Sequence, residues 1–545
     1  MKWQSLAGSS LLVAFAGACS APASKRTVTV TVSPVSTDVL TCSQTSFTAT
    51  VTGSDDATVT WSLAPPGVGS LDAAGTYTAP LATPAPNGVT VTATSAAEPS
   101  AQGSAAVTLA TAFPGPARTI DGSTALVGGV FPHSLATSGA RIYAVWSTAA
   151  SASPSLMVAR SDDAGATWKP AVGATKVNLA NGATEPIDCV ALAIDAGDPD
   201  VVYAYGSVRD RNDLGDAAAQ ASGGPTSFLA VSTDGGATFT TSVMQVGGAA
   251  GGVDGWDQVG ICGDVASPAA NAVVVESPGG YNGDGNPDIA IWADGSRGAG
   301  FRTGVAQDGD YVAHGVTHAL DNLQGDHDIG VAQNGSSDDA GGATESPRLL
   351  TDGKGRLCLT YKGLTDGGVA AHVYLQCSDA LAKTFSAPLV VDPQSPAGTP
   401  LTSPVGAFGP NQSVAELWST GLTDGQLLVA TSSDGGETFG AQTAIPTYLL
   451  PDQSRAPATN PSIGYDAAGI LWIGYHAYDG ALHARLVVDK SCDGGKTWSG
   501  AVLVNGPEET IVDGQLPALV MTPGRAPQLA ASAGNHRVLF SLTPS

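Results

Sequence analysis

The stretch Ser161-Asp-Asp-Ala-Gly-Ala-Thr-Trp168 decides the fold class, because its pattern returns three times further along the chain. Each copy carries Ser, Asp, Gly and Thr at alternate positions, followed directly by Trp or Phe. Four matches of five fixed positions are not expected by chance, and they indicate a repeat architecture. The fixed residues are Ser161, Asp163, Gly165, Thr167 and Trp168; Ser232, Asp234, Gly236, Thr238 and Phe239; Ser432, Asp434, Gly436, Thr438 and Phe439; and Ser491, Asp493, Gly495, Thr497 and Trp498.

Each copy is predicted to be a tight turn between two strands. An apolar run precedes the first three copies, at 156–159, 228–231 and 427–430. The Asp side chain can accept hydrogen bonds from nearby backbone amides, and Gly accepts a positive φ. The aromatic residue then packs back as a hydrophobic plug. We therefore expect a structural role for these aspartates.

These turns resemble the Asp-box of the sialidase superfamily of β-propellers, where the motif lies at the periphery of the blades, away from the active centre. A proline recurs roughly every 55 residues over much of the chain, and each one opens a short predicted strand. A second strand follows most of them, for example at 142–146 and 289–292. This period fits blades of four strands. The pattern predicts seven blades, the last completed by residues 118–120; six, the number in sialidases proper, is the alternative. The prolines are Pro132, Pro186, Pro268, Pro347, Pro404, Pro461 and Pro517.

The start of the chain reads as a targeting segment. Lys2 precedes an apolar run, 11–18, that ends directly before Cys19. Small residues before a cysteine resemble a bacterial lipoprotein signal, which implies a signal peptide over 1–19, a lipidated Cys19 and a short tether over 20–26. The resemblance implies an exported protein, lipid-anchored to the bacterial outer membrane or cell surface. A plain secretory signal is the alternative.

Residues 27–111 are predicted to form a separate β-sandwich. Strand-like alternation appears at 28–32 and recurs at 46–51, 59–63 and 89–93. The pattern resembles bacterial immunoglobulin-like domains, with Trp61 as the expected core aromatic. A Pro- and Gly-containing linker, 112–117, separates this domain from the predicted propeller, 118–545. The fold class is therefore all-β: an immunoglobulin-like sandwich followed by a sialidase-like propeller.

Six cysteines remain after Cys19, and an even number in an exported protein suggests disulfides. Cys358 and Cys377 lie on predicted neighbouring strands and are the expected pair. The pairing of the other four stays open. They are Cys42, Cys189, Cys262 and Cys492.

The resemblance to sialidases is weaker at the level of chemistry. Sialidases hold the sugar carboxylate with three arginines, because a guanidinium pairs bidentately with a carboxylate. The first comes from an Arg-Ile-Pro motif at the start of the first blade. Here that place reads Phe131-Pro-His133, so the arginine is missing and a histidine stands nearby. Arg348 is the one arginine expected near a sialidase-type site. Asp188 and Asp257 are candidates for a catalytic carboxylate pair.

One loop has the composition of a calcium site. Asn282, Asp284, Asn286 and Asp288 place oxygen ligands at alternate positions around glycines, as Ca²⁺ prefers. The stretch resembles the calcium loops of some propeller repeats. An ordinary polar hairpin loop is the alternative, and a bound ion is expected to be structural.

The charge balance of the chain restricts the kinds of partner that it is expected to bind. With 23 Lys and Arg against 48 Asp and Glu, the formal net charge is −25, which argues against nucleic acid and anionic membrane surfaces. Two functions remain: a monomeric propeller that binds glycans or proteins through one face, and a glycoside hydrolase, either a divergent exo-sialidase or an enzyme acting on a polysaccharide. The missing arginine favours the first.

Overall fold

The computed structural model consists of strands and turns. The residues described are 26–120, 133–148, 150–177, 184, 187–208, 226–246, 264–281, 287–294, 303–307, 310–314, 345–364, 371–379, 386–395, 401–420, 425–450, 452, 454–478, 483–506, 511, 517–522, 527–534 and 536–543, some of them by backbone alone. No helix occurs in these ranges. Accordingly, they contain no helical segment long and apolar enough to cross a membrane. The all-β prediction is confirmed.

The chain divides into two compact units. The smaller comprises Met1–Thr37, Gln44–Thr78 and Gly88–Thr108. The larger comprises Asp38–Ser43, Ala79–Asn87 and Leu109–Ser545. Each unit is described separately below.

Nine strands form the N-terminal part of the chain. They make three antiparallel sheets, ordered β1-β4, β2-β9-β8-β5 and β3-β7-β6. The strands are β1 (Thr29–Ser33), β2 (Ser36–Leu40), β3 (Gln44–Ser46), β4 (Thr48–Thr52), β5 (Val59–Ala64), β6 (Ser70–Leu71), β7 (Thr76–Thr78), β8 (Gly88–Ser95) and β9 (Gln102–Ala110).

The core of the smaller unit is built on residues other than the expected tryptophan. Alternating valines and alanines of β1, β8 and β9 are buried, as period-2 patterning requires. Phe47 and Tyr77 are the fully buried aromatics, and the Tyr77 hydroxyl donates to Val68 O at 3.0 Å. Trp61 is only half-buried and is not among the buried core residues, although its indole lies against the buried Gly75. The prediction of Trp61 as the core aromatic was therefore wrong.

The long segment of the larger unit, Leu109–Ser545, has β10 (Arg118–Thr119) as its first strand after β9 and contains seven sheets in the described ranges. The first sheet consists of β11 (Leu135–Ser138), β12 (Arg141–Ser147), β13 (Ser155–Ser161) and β14 (Val172–Lys176), and the second of β15 (Asp188–Asp195), β16 (Asp198–Val208), β17 (Thr226–Ser232) and β18 (Thr240–Val246). The third consists of β19 (Asp264–Ala266), β20 (Val273–Tyr281) and β21 (Pro287–Asp294), and the next two strands, β22 (Thr303–Gln307) and β23 (Asp310–His314), extend the second sheet. The fourth consists of β24 (Glu345–Thr351), β25 (Arg356–Leu364), β26 (Ala371–Asp379) and β27 (Leu389–Val390).

The remaining three sheets follow the same order of strands. They are β28 (Thr402–Phe408), β29 (Val414–Ser419), β30 (Leu427–Ser432) and β31 (Thr443–Ala444); β32 (Ala458–Tyr465), β33 (Leu471–Tyr478), β34 (Ala484–Ser491) and β35 (Val502–Leu503); and β36 (Ala518–Val520), β37 (Gln528–Ala533) and β38 (His536–Ser541), joined by β10.

The first strands of the seven sheets close a ring. β11 contacts β15, and the contacts continue through β19, β24, β28 and β32 to β36, which returns to β11. Apolar side chains pack between successive sheets. Such a ring of radial antiparallel sheets is the architecture of a β-propeller.

The last sheet takes its outer strand, β10, from the start of the segment Leu109–Ser545, as the sequence predicted. Arg118 pairs with Leu539 and Thr119 with Val538, both antiparallel. Closure by an N-terminal strand holds the two ends of the ring together.

The third sheet departs from the sequence-based strand assignment. Its first strand, β19, ends before Pro268, whose carbonyl instead accepts the Gly355 amide at 2.7 Å. Residues 289–292, expected as a second strand, belong to the third strand, β21. Both predictions were wrong because the proline lies in the turn that follows the first strand. The hairpin β22-β23 was also not foreseen, and it adds to the second sheet through a parallel pairing of β22 with β18.

Two disulfide bonds occur among the described cysteines. Cys358 and Cys377 face each other on β25 and β26, and they are the pair expected from the sequence. Cys42 pairs with Cys492, and both residues fall in the larger unit. The sequence left this second pairing open, because the two residues are separated by 450 positions.

The four recurrent loops share one hydrogen-bond pattern. In the first copy, Ser161 Oγ accepts the Gly165 amide at 2.8 Å and donates to Asp163 Oδ1 at 2.8 Å. Asp163 then accepts the Thr167 amide at 2.8 Å and the Thr167 hydroxyl at 2.6 Å. The same bonds recur in the other three copies.

These bonds explain the fixed residues of the motif. Hydrogen bonds from Thr167 and Thr238 hold the pKa of Asp163 and Asp234 at about 2, so both stay ionised acceptors. The glycine of the motif has a positive φ in every copy, such as 81° at Gly165, and glycine adopts such a φ without strain. The aromatic residues pack against the core clusters beneath them. The carboxylates are thus fully used within their own turns.

Candidate functional site

The first strands of the ring surround a cavity of about 350 Å³. Its wall is mostly apolar, and its ionisable lining residues among those the structure describes are His133 and Tyr465. The wall includes Leu135, Ala136, Leu192, Ala193, Val265, Ala266, Leu349, Leu350, Ala407, Ile463, Gly464 and Met521. A concave, largely apolar pocket with few polar groups is the usual form of a small-molecule site.

His133 forms a close pair with a buried carboxylate. His133 Nδ1 lies 2.6 Å from Asp264 Oδ2. The His133 side chain is 33% exposed, whereas that of Asp264 is 1% exposed. Asp264 also accepts the Leu349 amide at 2.9 Å and its neighbour's Val265 amide at 2.8 Å. Three donors therefore satisfy a carboxylate that is otherwise removed from water.

Several sheets hold this pair in place. The His133 carbonyl accepts the Leu192 amide at 2.7 Å, which ties the residue to the second sheet. The next residue, Ser134, accepts a hydrogen bond from Arg537 Nη2 at 2.9 Å, and the same guanidinium donates to Val145 O. Arg537 is buried and comes from the last sheet. The histidine is thus positioned by rigid strands rather than by a loop alone.

The pairing sets the chemistry of the imidazole. A neutral histidine that donates Nδ1–H to a carboxylate presents Nε2 without a proton. Such a nitrogen can accept a hydrogen bond from a ligand hydroxyl, take a proton as a general base, or bind a metal. Sequence reasoning noted His133 only as a substitute for arginine. It missed Asp264, because no local motif connects a residue at 264 with one at 133.

Arg348 is brought near this pair but does not line the cavity. It lies on β24 next to Leu349, whose amide bonds Asp264, and it is 6% exposed. The backbone there contains a register shift between Glu345 and Arg348. The buried position is consistent with a supporting role beside the site.

The structure describes the two candidates for a catalytic carboxylate pair, Asp188 and Asp257, only in part. Asp188 begins β15, the strand between the sheets that carry His133 and Asp264, but the structure describes its backbone alone. Asp257 lies outside the described residues. Both therefore stay predictions.

The calcium loop also falls largely outside the described residues. Asn282, Asp284 and Asn286 lie there, and Asp288 is described only as a backbone position of β21. No cluster of three or more metal-binding side chains occurs within the described part of the chain. The calcium prediction stays a prediction.

Tyr475, on β33, is a core residue. It is fully buried, and its hydroxyl accepts the Tyr448 amide at 3.0 Å. Burial raises the pKa of this phenol far above its usual range. These features suit packing and not nucleophilic attack.

Neither a known protein family nor a curated protein matches the sequence. Among solved structures, an α-L-arabinanase from Penicillium chrysogenum aligns with 65% of this chain and 93% of its own, at 15% identity and a TM-score of 0.37. A GH93 α-L-arabinofuranosidase from Fusarium graminearum aligns with 79% and 98%, at 12% identity and a TM-score of 0.39. A sialidase from Trypanosoma rangeli aligns with 67% and 55%, at 12% identity and a TM-score of 0.37.

Proposed function

We propose that the larger unit is a seven-bladed propeller that binds a neutral glycan at the end of its channel marked by His133. The observation that carries this proposal is the His133–Asp264 pair, set at the rim of a small apolar cavity. Sugars combine apolar faces with hydroxyl groups. An apolar wall with one oriented hydrogen-bonding group complements such a ligand.

The same pair argues against an acidic sugar. A carboxylate ligand needs guanidinium groups, and the histidine here is already committed to a buried carboxylate. An anion would approach the negative charge of Asp264 and a chain of net charge −25. A hydroxyl group, by contrast, can donate to His133 Nε2 without any change of charge.

Glycoside hydrolysis is the second candidate. The observation that favours it is the oriented imidazole, because a histidine held by a carboxylate can serve as a general base. Asp188 begins the strand next to His133 and would supply a second group at the same end of the ring. Hydrolysis by a carboxylate pair requires two carboxyl groups roughly 5–10 Å apart. The described residues of the channel wall contain no such pair.

We also propose that the protein is exported and lipid-anchored through Cys19, acting as a monomer at the bacterial surface. The support is the sequence 1–19, in which an apolar run leads directly into the cysteine. Mass spectrometry of the membrane fraction should find a diacylated N-terminal peptide. A Cys19→Ser variant should be released from the membrane, and membrane retention of that variant would contradict the anchor.

Binding should be measured with a panel of neutral and acidic oligosaccharides by isothermal titration. We expect neutral oligosaccharides to bind, and His133→Ala to weaken binding at least about tenfold, the effect of losing one good hydrogen bond. His372→Ala is the matched control, because His372 also pairs with a buried carboxylate, Asp392, at 3.2 Å but does not line the cavity. Equal affinities for both variants and the wild type would contradict the proposal. Product release in the same mixtures would favour the hydrolase.

A further inference from the structure

The channel has a second pocket where the first strands end. It has a volume of about 340 Å³ and is lined by residues that terminate or follow β24, β28, β32 and β36. His133 precedes β11 and Asp264 begins β19, so the pocket lies at the other end of the ring's first strands. It adjoins the cavity beside His133, because both are lined by Thr351, Phe408, Tyr465 and Met521. The lining residues used below are Asp352, Phe408, Tyr465, Asp466 and Thr522.

Two hydroxyl groups in this pocket have no hydrogen-bond partner among the described residues. Thr522 is 4% exposed, and its Oγ1 forms no hydrogen bond in the described structure. The phenol of Tyr465, half-buried in the same pocket, likewise forms no hydrogen bond with any described residue. A buried hydroxyl without a partner costs about 1–3 kcal/mol. Unpaired polar groups facing a cavity therefore point to a ligand that satisfies them.

The Tyr465 ring is held rigidly. Gly409 packs directly on it, since a Cβ at Gly409 would lie 2.6 Å from Tyr465 Cγ. The turn that carries Gly409 is closed by its amide, which donates to Ser413 O at 2.8 Å. With Phe408 beside it, Tyr465 forms a fixed aromatic wall. Aromatic side chains combine an apolar face with, in tyrosine, a polar tip.

Two carboxylates add acceptors at the rim. Asp466 Oδ1 accepts the amides of Ala468 and Ile470, and its Oδ2 accepts Trp472 Nε1 at 3.1 Å. Asp352 Oδ1 accepts two amides of its own turn. These bonds fix the carboxylates and leave lone pairs for further donors, because each oxygen accepts about two hydrogen bonds.

We infer that this pocket binds a neutral monosaccharide unit at a second subsite, at the opposite end of the channel from His133. A sugar ring would lie on the aromatic wall, its hydroxyl groups would donate to the carboxylates, and its oxygens would accept from Tyr465 and Thr522. The two carboxylates outnumber the one lysine among the described lining residues, Lys354, and therefore disfavour an anionic ligand. The volume suits a single ring and falls within the range of small-molecule pockets.

The test uses the purified full-length protein with D-glucose, D-galactose, L-arabinose and N-acetyl-D-glucosamine, followed by saturation-transfer NMR and titration. We expect at least one sugar to bind with a Kd of about 1 mM, typical of a few hydrogen bonds. The variant Thr522→Val with Tyr465→Phe removes both hydroxyls and keeps the packing. It should raise that Kd at least about tenfold, while His133→Ala leaves it unchanged.

Three results would overturn this inference. One is unchanged affinity in the double variant, and another is preference for D-glucuronate over the neutral sugars. The third is a crystal soaked with each sugar that shows only ordered water at Thr522. A loss of binding in His133→Ala alone would instead assign the signal to the first site, so the two proposals fail separately.

Discussion

Glu416, a buried acid behind the channel wall, should contribute strongly to the pH dependence of the free energy of unfolding. Glu416 lies on β29 and is fully buried, and neither carboxyl oxygen forms a hydrogen bond with a described residue. Its carboxyl packs on Gly406 of the channel-lining strand β28, where an added Cβ would lie 2.4 Å from Glu416 Oε1. Burial raises the pKa of Glu416 from 4.5 to about 8. The Thr360 hydroxyl faces the carboxyl and offsets part of this rise, although its geometry falls short of a hydrogen bond.

The sign of the effect follows from proton binding. Between pH 4.5 and about 8 the folded state keeps the proton of Glu416 while the unfolded state releases it. Stability is therefore fully present below pH 4.5 and falls as pH rises through the folded pKa. At 1.36 kcal/mol for each unit of pKa difference, the free energy of unfolding falls by roughly 5 kcal/mol once the pH exceeds the folded pKa. Glu416→Gln has the shape of the neutral acid and cannot ionise, so it should not lose this stability.

The assay is urea unfolding of Glu416→Gln and wild type at pH 5 and pH 9, compared through their midpoints. We expect similar midpoints at pH 5 and a clearly higher midpoint for the variant at pH 9. Glu437→Gln is the control, since Glu437 is exposed on a surface turn and should show no such divergence. A midpoint difference that is constant between the two pH values would refute the reasoning.

Three further predictions concern the site and the fold. Asp264→Asn should weaken glycan binding nearly as much as loss of His133, because the amide no longer fixes the imidazole tautomer; titration calorimetry checks this. Asp434→Ala removes four hydrogen bonds that organise its turn and should lower the unfolding midpoint in thermal melts. Replacing Cys358 and Cys377 together by Ser should lower stability by about 3 kcal/mol, from the loop of 19 residues that the bond closes.

Each of these predictions has an outcome that contradicts it. Full binding by Asp264→Asn would show that the carboxylate does not orient the histidine. A variant at Asp434 that melts like the wild type would show that the turn is held by its backbone alone. An unchanged midpoint after loss of the disulfide, measured without reductant, would mean that the two strands are fixed by their ladder and packing.

The sequence was most informative where the structure is local. The fixed residues of the recurrent turns carry the side-chain hydrogen bonds that all four copies share, so a pattern of eight residues predicts the geometry. Closure by Arg118 and Thr119 followed from counting strands in the last sheet. The third sheet was misassigned because Pro268 lies in a turn after its strand. A proline marks a break in the ladder but does not say on which side the strand lies.

The site depends on contacts between residues that are far apart in the chain. His133 and Asp264 are separated by 131 positions, and Arg537 reaches Ser134 across 403. Neither contact leaves a trace in spacing or composition. The absence of the arginine expected beside His133 was visible from the sequence, and that position lies at the end of the channel where His133 pairs with Asp264. What replaced it became visible only through the ring of sheets.

The most direct test of the account is a crystal structure with the neutral oligosaccharide that binds best. The account predicts a sugar hydroxyl within about 2.6–3.2 Å of His133 Nε2, with the ring seated on the apolar wall and Asp264 still bound to Nδ1. A sugar bound elsewhere on the protein, with His133 untouched, would contradict the claim that this histidine–aspartate pair is the centre of the binding site.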